Sequence, residues 1–320
     1  MEVGKDGGES AVLFPGQGSQ YPGMGCALYE RSAGVREIFD RASALLGWDL
    51  WELCARGPEE ELRETSRSQP AIFTLSYAMW ELLHDAGWEP KVAAGHSVGE
   101  FTALAAAGGL PFEDGLRLVA KRGELMARAS ISKPGAMLAV LGAPTEAVEE
   151  RVRTLQQLGI IGIANYNCPG QVVVSLERRL LKQAEDELAP LARRVVELPV
   201  SGAFHSSLMA EAQERFAEFL SQGDLRFKEP RIPILLNATL APSRDPGEIK
   251  GALIAQMTSP IRWQQAVSHL IRSGIKVFVE VGPKDVLTKL ARRIDRSCLA
   301  LAADGRDPQE VIGGLGLGVR

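Results

Sequence analysis

The stretch that most constrains this chain is Gly95-His96-Ser97-Val98-Gly99, set between an apolar Val92-Ala93-Ala94 and a helix-forming run from Glu100 to Ala107. A G-x-S-x-G segment joining a strand to a helix reads as a nucleophile elbow, with the serine hydroxyl exposed at the tip of a tight turn. The two glycines let neighbouring backbone pass without a Cβ clash. The helix behind the turn aims free N–H groups and a partial positive charge at the same point, so a tetrahedral oxyanion formed beside Ser97 is stabilised there. With 33 glycines in the chain, the five-residue pattern also arises by chance; the preceding strand and following helix give it weight.

Length and composition narrow the setting. A chain of 320 residues predicts two domains, or one large domain carrying an insertion. The formal charge of -4 and pI near 5.8 argue against nucleic acid as a partner. No apolar run reaches the ~18 residues a membrane helix needs. The polar, acidic Met1–Ser10 is unlike a signal peptide. Cys26, Cys54, Cys168 and Cys298 form no C-x-x-C and read as free thiols, which places the protein in the cytoplasm.

Ala11–Phe14 reads as a buried strand, followed by Pro15-Gly16-Gln17-Gly18-Ser19-Gln20. That loop is either a tight surface turn or a second wall of the serine site, offering a backbone N–H or the Gln17 amide. Val35, Ile38, Phe39, Ala42, Leu45 and Leu46, and after Pro70 Ile72, Leu75, Met79, Leu82 and Leu83, recur at helical spacing and predict core. Arg122 lies mid-helix, where a basic residue is ordinarily solvated; it gains interest only if that helix runs beside the serine. Residues 133 to 200 follow the order βαββαβ, the ferredoxin-like pattern, with an Asn165–Gly170 turn between the second and third strands. Apolar strands are expected at Ile232–Asn237 and Lys276–Val281, a helix over Ala252–Met257, a solvated basic run at Arg292, Arg293 and Arg296 that also suits an acidic partner, and a frayed tail from Val311. A serine hydroxyl needs a base to take its proton. Of four histidines, His96 adjoins the serine and points away, while His84 and His269 sit in amphipathic helices. His205, in a loop of small residues, is left as the base.

These motifs together resemble the malonyl-CoA:acyl carrier protein transacylases and the related acyltransferases of polyketide synthases. The likeness runs from about Ala11 to Ala302. It rests on Gly16-Gln17-Gly18-Ser19-Gln20, Gly95–Glu100, Arg122-Gly123-x-x-Met126, Asn165-x-Asn167-x-Pro169-Gly170-Gln171, Ala203-Phe204-His205-Ser206, Gln256-x-x-x-Pro260-x-x-Trp263 and Glu280-x-Gly282-Pro283. The resemblance implies Ser97 as acylated nucleophile and His205 as its base. It implies an oxyanion hole from the backbone N–H groups of Val98 and Gln17, and Arg122 holding the free carboxylate of a dicarboxylic acyl group. It also implies a backbone carbonyl near Gln256 that orients the histidine, and Asn167 facing the cleft. Phe204, within Ala-Phe-His-Ser, matches enzymes that choose malonyl.

The expected fold is α/β. Residues 1–132 and 200–320 form an α/β-hydrolase-like large domain with a parallel sheet, and residues 133–199 form an inserted ferredoxin-like small domain. The implied activity is malonyl transfer from malonyl-CoA to the phosphopantetheine thiol of an acyl carrier protein, through an acyl-serine, for polyketide or fatty-acid synthesis. The expectation includes no metal, no bound cofactor, no nucleic-acid or membrane partner, a monomer, and a free-standing, trans-acting enzyme, since the chain ends soon after the family domain. An acyl hydrolase that clears carrier proteins is the alternative.

Overall fold

A computed structural model describes residues 9–223 and 225–315. Residues 1–8 of the N-terminal stretch and 316–320 of the tail lie outside the described residues, whereas Pro308–Gly314 is helical rather than frayed. The central sheet contains β1 (Ser10–Phe14), β2 (Val92–Gly95), β7 (Ile234–Leu235), β8 (Pro242–Ser243), β9 (Val277–Glu280) and β10 (Leu299–Ala302), in the order β10-β9-β1-β2-β7-β8. All neighbours pair parallel except β7 with the edge strand β8. β1, β2 and β9 are buried along their whole length, as expected of parallel strands covered on both faces. The β2 to Gly99–Ala106 step is the elbow, and every residue of that helix is buried.

A second sheet contains β3 (Gly135–Leu141), β4 (Ile161–Cys168), β5 (Gln171–Glu177) and β6 (Arg194–Glu197), ordered β4-β5-β3-β6 and antiparallel throughout. The helices Thr145–Leu155 and Leu181–Leu188 pack on one face, burying Val148, Val152, Ala184 and Leu188 with Leu138, Val140 and Val174. This is the arrangement the βαββαβ order predicts.

Four local expectations are corrected. Asn165–Cys168 belongs to β4, with two register shifts, because its outer edge pairs with the segment before Trp263: Ile261 N–H donates to Ala164 O at 2.8 Å and Tyr166 N–H to Ile261 O at 2.9 Å. Only Pro169 and Gly170 turn. The strand at 232–237 shrinks to Ile234–Leu235, since Asn237 turns inward to bind Gly95 O and Glu100. The helix expected after Pro70 starts at Thr65 and takes the proline inside it, which puts Gln69 on a buried helical face. The helix expected at 252–257 spans Pro246–Ala255, started by the Asp245 carboxylate accepting from Glu248 N–H. Gln256 is therefore its C-cap.

The basic run is not simply solvated. Arg292 donates to Ala300 O at 2.6 Å, and Arg293 donates to the Gln171 side chain at 2.5 Å, linking the helix Val286–Ile294 to the β4–β5 turn.

Candidate active site

The elbow is held by sterics. A Cβ on Gly95 would stand 2.0 Å from Gly99 C, and one on Gly99 would stand 2.0 Å from Phe14 O, so neither position admits a side chain. Ser97 adopts φ 54°, a left-handed conformation costly to a residue with a Cβ. His96 N–H donates to Phe14 O, while Gly99 N–H and Glu100 N–H return to His96 O and Ser97 O. The N–H of Val98 thus lies at the opening of the helix, ahead of its first returning donors.

The loop after β1 passes against this turn rather than forming an isolated surface turn. A Cβ on Gly16 would meet His96 O at 2.6 Å. Gln17 follows, its side-chain amide donating to Thr65 Oγ1 at 3.2 Å.

His205 reaches Ser97 from the loop that leads to Ala210–Ser221. Its Nε2 lies 2.8 Å from Ser97 Oγ and its Nδ1 2.9 Å from Gln256 O. A carbonyl only accepts, so Nδ1 carries the proton and Nε2 is the acceptor for the serine hydroxyl. His205 is also left-handed, at φ 57°. Its loop is fastened on two sides: Ser175 Oγ of β5 donates to Phe204 O at 2.5 Å, and Ser206 Oγ donates to Ala203 O at 2.6 Å. Burial, reinforced by the charge of Arg122, pushes the His205 imidazole down to about 3, so it is neutral and able to take a proton at pH 7.

Arg122 projects from the helix Phe112–Ser132 and is fully buried. The helix comes close enough because its next residue is Gly123, where a Cβ would stand 2.8 Å from Thr65 O. Nη1 donates to Gln69 Oε1 at 2.8 Å; Nη2 donates to Gln256 Oε1 at 2.8 Å and to Ser97 Oγ at 3.1 Å. The guanidinium also lies over the Phe101 ring at 5.2 Å. Its Nε has no hydrogen-bond partner, and burial lowers its pKa to about 9, with Glu100 opposing the shift. A buried cation with an idle donor, touching the nucleophile, suits an incoming carboxylate.

His96 Nε2–H donates to Asn167 Oδ1, on β4, at 3.1 Å, so His96 turns from the serine toward the small sheet. Phe204 is buried beside the histidine. Of the expected residues, Ser97, Arg122, His205 and Gln256 are joined by direct hydrogen bonds, Val98 and Phe204 adjoin Ser97 and His205 in the chain, Asn167 is bonded to His96, and Gln17 is bonded to Thr65. Three further residues join them: Gln69, Glu100 and Asn237, all buried. Gln69 carried no signal, Glu100 read as a helix former and as the end of the Gly95–Glu100 motif with no role assigned, and Asn237 read as strand end.

This geometry sets a serine hydroxyl, a neutral imidazole and a buried guanidinium in mutual contact at the elbow of an α/β fold. The family model described as "Acyl transferase domain" matches residues 12–316, and the chain belongs to this acyl transferase family. The malonyl CoA-acyl carrier protein transacylase of Bacillus subtilis (strain 168) is 39% identical over 304 residues, 94% of this chain and 94% of that one. Among solved structures, an acyl carrier protein S-malonyltransferase from Vibrio cholerae superposes with a TM-score of 0.90 at 37% identity, covering 95% of this chain and 99% of that one. A malonyl-transacylase solved in complex with a type II polyketide synthase acyl-carrier protein superposes with a TM-score of 0.90 at 36% identity, covering 97% of this chain and 100% of that one.

Proposed function

We propose that this protein transfers a malonyl group from malonyl-CoA to the phosphopantetheine thiol of an acyl carrier protein, with Ser97 as nucleophile, His205 as base and Arg122 as carboxylate anchor. The observation that carries the reading is the fully buried Arg122, in contact with Ser97 Oγ and with a donor to spare. Ser97 Oγ attacks the thioester carbonyl carbon while its proton passes to His205 Nε2. The oxyanion is held by the N–H groups of Val98 and Gln17. The C–S bond then breaks, and the departing thiolate takes the proton from the imidazolium. The carrier thiol reverses these steps: it gives its proton to His205, attacks the acyl-serine, and Ser97 leaves and is reprotonated. Arg122 holds the distal carboxylate throughout, and Asn167 and Phe204 line the acyl pocket.

The same reading takes residues 1–132 with 200–320 as the large domain and 133–199 as the inserted one; the strands of each sheet fall within these bounds. A single chain supplies every group of the site, which supports a monomer. The four cysteines are free thiols, which supports a reducing cytoplasm, and among the described residues no helix is long and apolar enough to cross a membrane. The relative solved with its acyl-carrier protein supports the choice of acceptor.

The test is intact-protein mass spectrometry after mixing with malonyl-CoA or acetyl-CoA, followed by phosphopantetheinylated carrier protein. A stable malonyl adduct on Ser97 that moves to the carrier is expected. Rapid loss of any acyl group to water would favour the hydrolase. Arg122 speaks against that alternative, since a neutral acyl chain leaves the buried cation unpaired.

A further inference from the structure

Glu100 is fully buried one helical turn beyond Ser97, yet the proposed chemistry does not use it. Each of its hydrogen-bond partners is a donor. Oε1 accepts from Asn237 N–H at 3.2 Å; Oε2 accepts from Asn237 Nδ2 at 2.6 Å and from Gln256 Nε2. A protonated carboxyl would have to aim its hydrogen at one of these donors, so the contacts select the carboxylate. Burial outweighs the hydrogen bonds with Gln256 and Asn237 and the charge of Arg122, so on balance the carboxyl is pushed up to about 7.

Gln256 stands between this carboxylate and the site. Its amide nitrogen donates to Glu100 and, at 3.0 Å, to Ser97 O; its amide oxygen accepts from Arg122 at 2.8 Å; its backbone carbonyl accepts from His205. Turning the amide over would set NH2 against the guanidinium and oxygen against the carboxylate. The negative charge of Glu100 therefore dictates which way the amide faces, and through it where Arg122 points.

We infer that Glu100 is a positioning residue for acyl transfer, acting through Gln256 to hold Arg122 and His205 in register with Ser97. The inference rests on the site reading above. The network also gives the buried guanidinium a counter-charge, relayed by one amide, before any substrate carboxylate arrives.

The experiment compares acylation kinetics of the wild type, Glu100→Gln, Glu100→Asp and Ser97→Ala with malonyl-CoA and acetyl-CoA, with folding checked by near-ultraviolet circular dichroism and Tm. Glu100→Gln must oppose donor to donor at one oxygen position. Its kcat is expected to fall about tenfold or more with both substrates, and its malonyl KM to rise, so that the preference for malonyl narrows. Glu100→Asp keeps the charge, so its kcat falls less and its malonyl preference stays. Either variant, folded, with wild-type kcat and preference overturns the inference, as does an equal defect in both folded variants. If Glu100→Gln does not fold, Glu100→Asp decides alone: lowered kcat with preserved preference supports the inference, and wild-type values overturn it. Malonyl uptake by Ser97→Ala would instead remove the site reading itself.

Discussion

Arg122 Nη2 donates to Ser97 Oγ at 3.1 Å, and the same hydroxyl lies 2.8 Å from His205 Nε2. The serine oxygen thus accepts from a cation while its hydrogen points at a neutral imidazole. Both contacts favour transfer of the proton: one stabilises negative charge growing on oxygen, the other receives the hydrogen. The guanidinium thus touches the serine oxygen itself.

On the proposed role, replacing Arg122 with alanine removes the partner of the malonyl carboxylate. The loss in malonyl kcat/KM is expected to be ~2 kcal/mol or more, about 30-fold, as for other buried charge pairs broken from one side. Acetyl transfer, which has no carboxylate to lose, is expected to fall far less, through loss of the Arg122–Ser97 contact alone. Paired kinetics with both thioesters check this; equal losses would remove Arg122 from acyl selection.

His205→Ala is expected to slow acylation of Ser97 by roughly 10²–10⁴-fold, the usual contribution of a positioned base. Quenched-flow mass spectrometry of the acyl-enzyme reads the rate directly. An unchanged rate would assign the proton to another group.

The depressed His205 pKa has a consequence for stability. Native imidazole stays neutral down to about 3, whereas the unfolded side chain binds a proton near its ordinary 6.5. Between those values the unfolded state holds more protons, so this residue's contribution falls as pH falls, by ~2 kcal/mol at pH 5 relative to pH 8. Urea unfolding of wild type and His205→Gln at both pH values is expected to show a smaller pH-dependent loss in the variant by about that amount. Parallel losses in the two proteins would contradict it.

Gly99→Ala places a methyl group 2.0 Å from Phe14 O, where β1 cannot retreat without breaking its pairing with β2 and β9. A destabilisation on the order of 3 kcal/mol is expected, together with loss of acylation because the elbow carries Ser97. Thermal unfolding and the acylation assay measure the two effects separately. A variant with wild-type Tm would show that the strand yields.

How far the sequence reaches can be judged residue by residue. Ser97 was legible because local sterics demand its pattern: glycines on either side, a strand before and a helix after, all within a dozen residues. The small sheet was legible for a similar reason, since period and order alone predict βαββαβ. His205 could be reached by elimination, given the chemical need for a base. Arg122 could not be assigned from its own helix, where a mid-helix arginine ordinarily faces water. Its burial depends on Gly123 letting the helix Phe112–Ser132 close on Thr65, and on Gln69 and Gln256 arriving to receive its hydrogens. Gln69 and Asn237 stayed silent and Glu100, though inside the elbow motif, gave no sign of its role, because a buried polar residue announces its part only through partners distant in the chain. The 232–237 strand was overestimated for the same reason: Asn237 leaves the sheet to satisfy a carboxylate 137 positions earlier.

By itself, then, the order of residues determined where the chain turns sharply and which segments are strand or helix, because those outcomes follow from backbone sterics and the spacing of apolar side chains over a few neighbours. Which polar groups lose their water, which donor meets which acceptor, and hence the charge state and aim of Arg122, His205 and Glu100 were decided only by the tertiary structure. Desolvation and hydrogen bonding depend on what lies within a few ångströms in space, and in this site those neighbours come from six separate parts of the chain.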